Sequence, residues 1–141
     1  MKAMRMIKVI GVQTGLDGEE STIELMTEGT FYIKNGSYYI LYDESEISGL
    51  EGATTRVKVE NNNKVYMKRF GTTATDLIFE KGSKYESNYM TAYGEFHISV
   101  VTNSLDIEIS EETGKGKIEI DYDLNILSGT KLSNKLQIQL M

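Results

Sequence analysis

The residues of this chain most suited to chemistry are polar groups placed in phase with apolar ones. Arg69 shares a phase with Val65 and Met67, and Thr55 with Val57 and Val59. Thr102 continues the Ile98/Val100 face, Tyr122 falls among Ile118, Ile120, Leu124 and Ile126, and Asn134 among Leu132, Leu136, Ile138 and Leu140. In a strand, residues two apart point to the same side, so each of these groups belongs to a face that is otherwise apolar. A buried arginine keeps its charge, and therefore needs a carboxylate, several carbonyls or an anionic ligand beside it. A few convergent polar groups among aliphatic and aromatic walls make a small-ligand site. The alternative is that the five satisfy one another or backbone groups at the strand ends.

Other chemistries find fewer parts. His97 is the single histidine, and by alternation it lies with Glu95 and Ser99, opposite Phe96, Ile98 and Val100. That phase predicts an outward side chain, whereas a haem-binding barrel would need it inward as an axial ligand. Zinc sites want three or four Cys, His or carboxylate ligands, and with one histidine and no cysteine neither a metal nor a cofactor is implied. A Ser or Thr nucleophile needs a base, and nothing near His97 reads as a nucleophile turn. Asp121 and Asp123 share the outer polar face of one strand, where carboxylates are ordinarily just solvated. No glycine cluster opens a helix to cradle phosphate. Catalytic residues stay unassigned, and an enzyme is unsupported. The chain has nine tyrosines and no tryptophan. Tyr32, Tyr38, Tyr39, Tyr42, Tyr85, Tyr89 and Tyr93 either ring one mouth of the fold or decorate its outside.

Composition bounds the partners. With 141 residues, 40% hydrophobic and 26% charged, the chain fits one folded domain. No run approaches the roughly 18 apolar residues of a membrane span. The N-terminal Met1-Lys2-Ala3-Met4-Arg5-Met6-Ile7-Lys8 threads charges where a signal peptide has an apolar stretch, so a cytoplasmic protein is expected. Net charge is −6, and the basic residues alternate with acids, with no run longer than Lys68-Arg69. Binding to a phosphate backbone needs clustered Lys and Arg, so chain order predicts no nucleic-acid partner and no anionic membrane partner.

The elements that must position these residues are strands. Ile118, Ile120, Tyr122, Leu124 and Ile126 alternate with Lys117, Glu119, Asp121, Asp123 and Asn125. Similar alternation predicts strands over 4–13, 20–34 (kinked at Gly29), 37–42, 53–60, 63–70, 74–80, 84–92, 94–102, 104–110 and a long hairpin over 116–140. Helical periodicity is nearly absent. Proline is missing, so glycine and asparagine supply the turns. Lys34-Asn35-Gly36-Ser37 is the strongest hairpin signal, because Asn-Gly accepts positive φ at both central positions. Asn61-Asn62-Asn63, Lys81-Gly82-Ser83, Thr113-Gly114-Lys115-Gly116 and Leu127-Ser128-Gly129-Thr130 read as further tight connections. Asp43 to Gly52 is long enough for a loop or a helical turn. Sequential strands on short turns make an antiparallel meander, and closure into a barrel of about eight to ten strands removes the free edges.

Several stretches resemble the YwiB-like family of small bacterial calycin-like β-barrel proteins. They are Thr54-Thr55-Arg56-Val57-Lys58-Val59, Val65-Tyr66-Met67-Lys68-Arg69-Phe70-Gly71, Tyr89-Met90-Thr91-Ala92-Tyr93-Gly94-Glu95-Phe96, Val101-Thr102 with Leu105, and Gly116-Lys117-Ile118-Glu119-Ile120-Asp121-Tyr122 with Asn134. Phe31-Tyr32 and Tyr38 to Tyr42 resemble the family's earlier hairpin. The chain departs from the pattern at Ala92, where proline is expected. The resemblance implies a lipocalin- or streptavidin-like barrel and no particular reaction.

These readings converge on a non-enzymatic barrel that binds a small, partly apolar or anionic molecule through Arg69, Thr55, Thr102, Tyr122 and Asn134. The rival is a structural or protein-interaction barrel with a filled core, monomeric or homodimeric through a tyrosine-bearing sheet. An enzyme of unknown reaction stands third.

Overall fold

A computed structural model of the chain describes residues 2–15, 17–48, 50–91, 93–126 and 129–141. Ten strands follow one another: β1 (Lys2–Thr14), β2 (Glu20–Lys34), β3 (Ser37–Asp43), β4 (Ala53–Glu60), β5 (Lys64–Gly71), β6 (Ala74–Phe79), β7 (Lys84–Thr91), β8 (Gly94–Ile109), β9 (Gly116–Ile126) and β10 (Thr130–Leu140). Each pairs antiparallel with its neighbour in sequence, and β1 pairs with β10 from Ile7↔Leu140 to Thr14↔Ser133, closing the barrel. The closed all-β meander expected from alternation and turn chemistry is the fold. Among the described residues, no helix is long and apolar enough to cross a membrane.

Local chemistry explains the connections. Asn35 (φ 52°) and Gly36 (φ 80°) both hold positive φ between β2 and β3, as the Asn-Gly hairpin signal requires. The long stretch after β3 contains a single 3-10 turn, Glu46–Ser48. Ala92, where the family pattern departs, and the turn residues Leu127 and Ser128 lie outside the described residues.

One strand expectation changes. The segments 94–102 and 104–110 are one strand, β8, in which Thr102 opposes Tyr122 and Ser104 opposes Asp121. Asn103 is the extra residue of a β-bulge, so the inward phase switches from Ile98, Val100 and Thr102 to Leu105, Ile107 and Ile109. A phase switch in sequence looks like a strand break. At Gly29 the ladder to β1 runs unbroken from Lys2↔Tyr32 to Thr14↔Glu20. The glycine serves close approach: a Cβ there would meet the Ile7 side chain and the Leu41 carbonyl.

Inward positions follow the register across every strand. The half of the barrel holding the β2–β3 and β4–β5 turns is packed with Ile7, Phe31, Ile40, Val57, Val65, Phe79, Ile118 and Ile138, all fully buried. Gly114 of the β8–β9 turn packs on the Phe31 ring, and Arg5 donates to the Thr113 carbonyl, closing that end. The opposite end is the mouth, where the β1–β2, β3–β4, β5–β6 and β7–β8 connections gather.

Candidate functional site

Register gathers the inward polar residues into two arcs at the mouth. Across one wall, Tyr42 pairs with Thr55, Thr55 with Arg69, Arg69 with Thr75 and Thr75 with Tyr89. Across the other, Thr102 pairs with Tyr122, Tyr122 with Asn134, Asn134 with Gln13 and Gln13 with Ser21. Between the arcs is a cavity of about 290 Å³. Arg69, Glu44, Tyr42, Tyr89, Tyr122 and Asn134 line it together with Val9, Leu25 and Leu136. The β3–β4 loop contributes Ser48 and Leu50 at the rim.

Arg69 is the electrostatic centre. Its Nε lies 3.8 Å from Glu44 Oε1, with the two side chains 18% and 3% exposed. That distance gives Coulombic attraction without a hydrogen bond, and the buried Nε has no hydrogen-bond partner among the described residues. The same Glu44 oxygen instead accepts the Thr55 hydroxyl at 2.6 Å. Glu44 therefore balances the guanidinium's charge while spending its best hydrogen bond on β4. Burial pushes the Tyr42 phenol well above its ordinary value, reinforced by Glu44 and tempered by Arg69 and the Thr55 hydrogen bond. Burial also raises Tyr122, again tempered by Arg69. Both phenols stay neutral where they line the cavity.

Asn134 is held by its neighbours. Its Oδ1 accepts from Gln13 Nε2 at 3.1 Å, and its Nδ2 donates to the Leu132 carbonyl at 3.0 Å. The Tyr122 ring packs against Phe79, centroids 4.8 Å apart, which fixes it on the floor of the cavity.

Of the five residues singled out by phase, Arg69, Tyr122 and Asn134 line the cavity. Thr55 and Thr102 do not. Thr55 is fully buried behind Glu44 and acts through that carboxylate. Thr102, 1% exposed, lies beside Tyr122 with its Oγ1 unpartnered among the described residues. Glu44 escaped the sequence reading because it follows the last strand residue of β3, yet it continues the Ile40/Tyr42 phase by one step. Gln13 was hidden likewise, two residues beyond Gly11.

The tyrosines divide between the two expectations. Tyr42 and Tyr89 line the mouth cavity, Tyr38 packs on Phe31 at the closed end, and Tyr32 and Tyr39 stack on the outer wall. Tyr85 donates to Glu80 at 2.8 Å, and Tyr93 is 94% exposed. His97 is on the outer surface, 3.3 Å from Asn88 and 3.8 Å from Glu86. Asp123 also faces outward, against Ser133 and Lys131.

Comparison with known proteins fits this picture. Residues 7–138 match the family described as a domain of unknown function, DUF1934, and the chain belongs to that family. It is 31% identical over 110 residues to the uncharacterized β-barrel protein YwiB of Bacillus subtilis (strain 168), covering 78% of this chain and 74% of that protein. The crystal structure of the ywiB protein from Bacillus subtilis superposes with a TM-score of 0.82 at 26% identity, over 99% of this chain and 93% of that one.

Proposed function

We propose that this member of the DUF1934 family is a non-enzymatic binding barrel for a small, partly apolar molecule carrying an anionic group. The observation that carries the reading is the Arg69 guanidinium. It lines a cavity with aliphatic and tyrosine walls, and its counter-ion has given its short hydrogen bond to Thr55. A ligand carboxylate or phosphate would supply the charge-assisted bonds that Glu44 does not. Tyr122, Tyr89 and Asn134 would orient the polar end, and Val9, Leu25 and Leu136 would hold the apolar part. A volume of about 290 Å³ stands at the lower end of ligand pockets, which suits a molecule of metabolite size and is too small for a tetrapyrrole.

The test is a thermal-shift screen of medium-chain fatty acids, aromatic carboxylates and their neutral alcohols, with native mass spectrometry of protein purified from its host. A ligand at about 100 times its Kd adds about 2.7 kcal/mol, which raises Tm by about 5–10 °C at this chain length. The acids should shift the wild type, the alcohols less, and Arg69→Met should abolish the preference. If no compound shifts the wild type and only the bare 15.9 kDa chain is found, the reading fails. A second reading, an interaction barrel that dimerises, draws on the outer face of β1 and β2, where Met4, Met6 and Met26 are exposed.

A further inference from the structure

Pairing register builds a surface on the outer wall that chain order conceals. Lys68 and Arg69 are adjacent in sequence but point to opposite faces, and Lys68 lies directly opposite Arg56 of β4. Like charges in opposed positions destabilise a sheet, and the nearest compensation is Asp76, opposite Lys68 on β6. Two residues along, on the same face, Tyr39, Lys58, Tyr66 and Ile78 form a cross-strand row over β3 to β6. Lys58 Nζ stands 5.9 Å from the Tyr39 ring centroid and 5.3 Å from that of Tyr66. Lys64 stands 5.1 Å from Tyr66 and 5.4 Å from Tyr85. Tyr32 stacks on Tyr39 at 4.8 Å with an interplanar angle of 2°, extending the aromatic row onto β2. A groove of about 430 Å³ runs between Arg56, Lys58, Tyr66, Lys68, Asp76 and Ile78. The other acids in reach are Glu60, 3.4 Å from Lys58 and opposite Lys64, and Glu80, bonded to the Tyr85 hydroxyl beside Lys64.

The β8–β9 wall has the opposite sign. Asp106, Glu108, Glu119 and Asp121 point outward from β8 and β9, broken by Lys117. That wall turns a polyanion away, and the β4–β5 wall, with four outward cations, is the one suited to receive it.

We infer that this wall binds single-stranded nucleic acid, with phosphates on Arg56, Lys58, Lys64 and Lys68 and bases stacked on Tyr66 and Tyr39. A cationic groove interleaved with aromatic faces is the arrangement that holds unpaired bases, because every base has a face to stack and the lysines that cover the rings can move to phosphates. A duplex would leave the tyrosines unused. The expectation against a nucleic-acid partner rested on net charge and on the lack of a basic run; register brings Arg56 and Lys68 together where chain order keeps them apart. The inference is independent of the mouth cavity, since these side chains point away from it.

The experiment is fluorescence anisotropy of the intact chain with a short labelled oligothymidylate or oligouridylate. Contacts to about four phosphates predict a log K against log salt slope near −3. The Arg56→Gln/Lys68→Gln double variant should bind at least roughly tenfold more weakly, with a slope less negative by about 1.4. Tyr66→Ala should weaken binding by roughly 5- to 100-fold and leave the slope unchanged. The double variant relieves an opposed like-charge pair, so its urea midpoint should match or exceed that of the wild type. If that variant misfolds, Lys64→Gln takes its place, with a slope change of about 0.7. The inference is overturned by absence of binding at low salt, by variants that bind like the wild type, by equal competition from a duplex of the same length, or by binding to phosphatidylglycerol vesicles and not to the oligonucleotide.

Discussion

Replacing Arg69 by methionine keeps the aliphatic stem and removes the charge, which leaves Glu44 as a carboxylate whose side chain is 3% exposed. Its remaining support is the 2.6 Å bond from Thr55 and the neighbouring Tyr42 hydroxyl. Breaking a buried ion pair from one side costs about 3–5 kcal/mol, because the abandoned charge stays desolvated. Here the pair is 3.8 Å apart with no hydrogen bond at Nε, and the cavity opens at the mouth, so about 2–3 kcal/mol is expected. At about 2–4 °C per kcal/mol for a chain of this size, Tm should fall by about 5–10 °C. Urea unfolding followed by tyrosine emission is a suitable assay, since the chain has nine tyrosines and no tryptophan. Glu44→Gln alone should cost less, because the guanidinium it strands is the more exposed partner. The double variant should recover much of the loss, giving a double-mutant coupling of at least about 1 kcal/mol. If Arg69→Met is as stable as the wild type and the coupling is zero, the guanidinium and carboxylate are solvated independently, and the electrostatic account of the cavity is wrong.

Asn134→Leu should separate stability from binding. It removes two side-chain hydrogen bonds, each worth about 1 kcal/mol, and adds apolar burial of similar size. Unfolding free energy should therefore stay within about 1 kcal/mol while any ligand thermal shift falls, as equilibrium unfolding with and without ligand would reveal. The raised phenols of Tyr42 and Tyr122 set an alkaline limit. The unfolded chain releases these protons near pH 10 and the folded chain holds them above it. Stability is thus intact below pH 10 and declines above, by up to about 1.4 kcal/mol per pH unit for Tyr42, with Tyr122 adding in the same direction. Urea midpoints collected upward from pH 9 should show this, and Tyr42→Phe should flatten the decline; an unchanged slope would mean that another group governs the alkaline limit.

What was legible in the sequence is what depends on a period of two. Alternation marked nearly every strand, and Asn35-Gly36 marked its hairpin. Arg69, Tyr122 and Asn134 were found as polar breaks in apolar phases. What stayed hidden depends on which residues lie side by side across strands. Thr55 shared Arg69's phase, yet pairing put Glu44 between it and the cavity. Arg56 and Lys68 are twelve positions apart in the chain and opposite each other in the barrel, so a scan for basic runs could not join them. The bulge at Asn103 shows the same limit within one strand, because a single extra residue exchanged inward for outward. Register is set by closure of the whole barrel, and in this protein both the inner arcs and the outer basic wall are products of that closure. A shift of one residue between β4 and β5 would take Arg69 from beside Thr55 and part Arg56 from Lys68 in one step, so the cavity and the basic wall stand or fall on the same pairing.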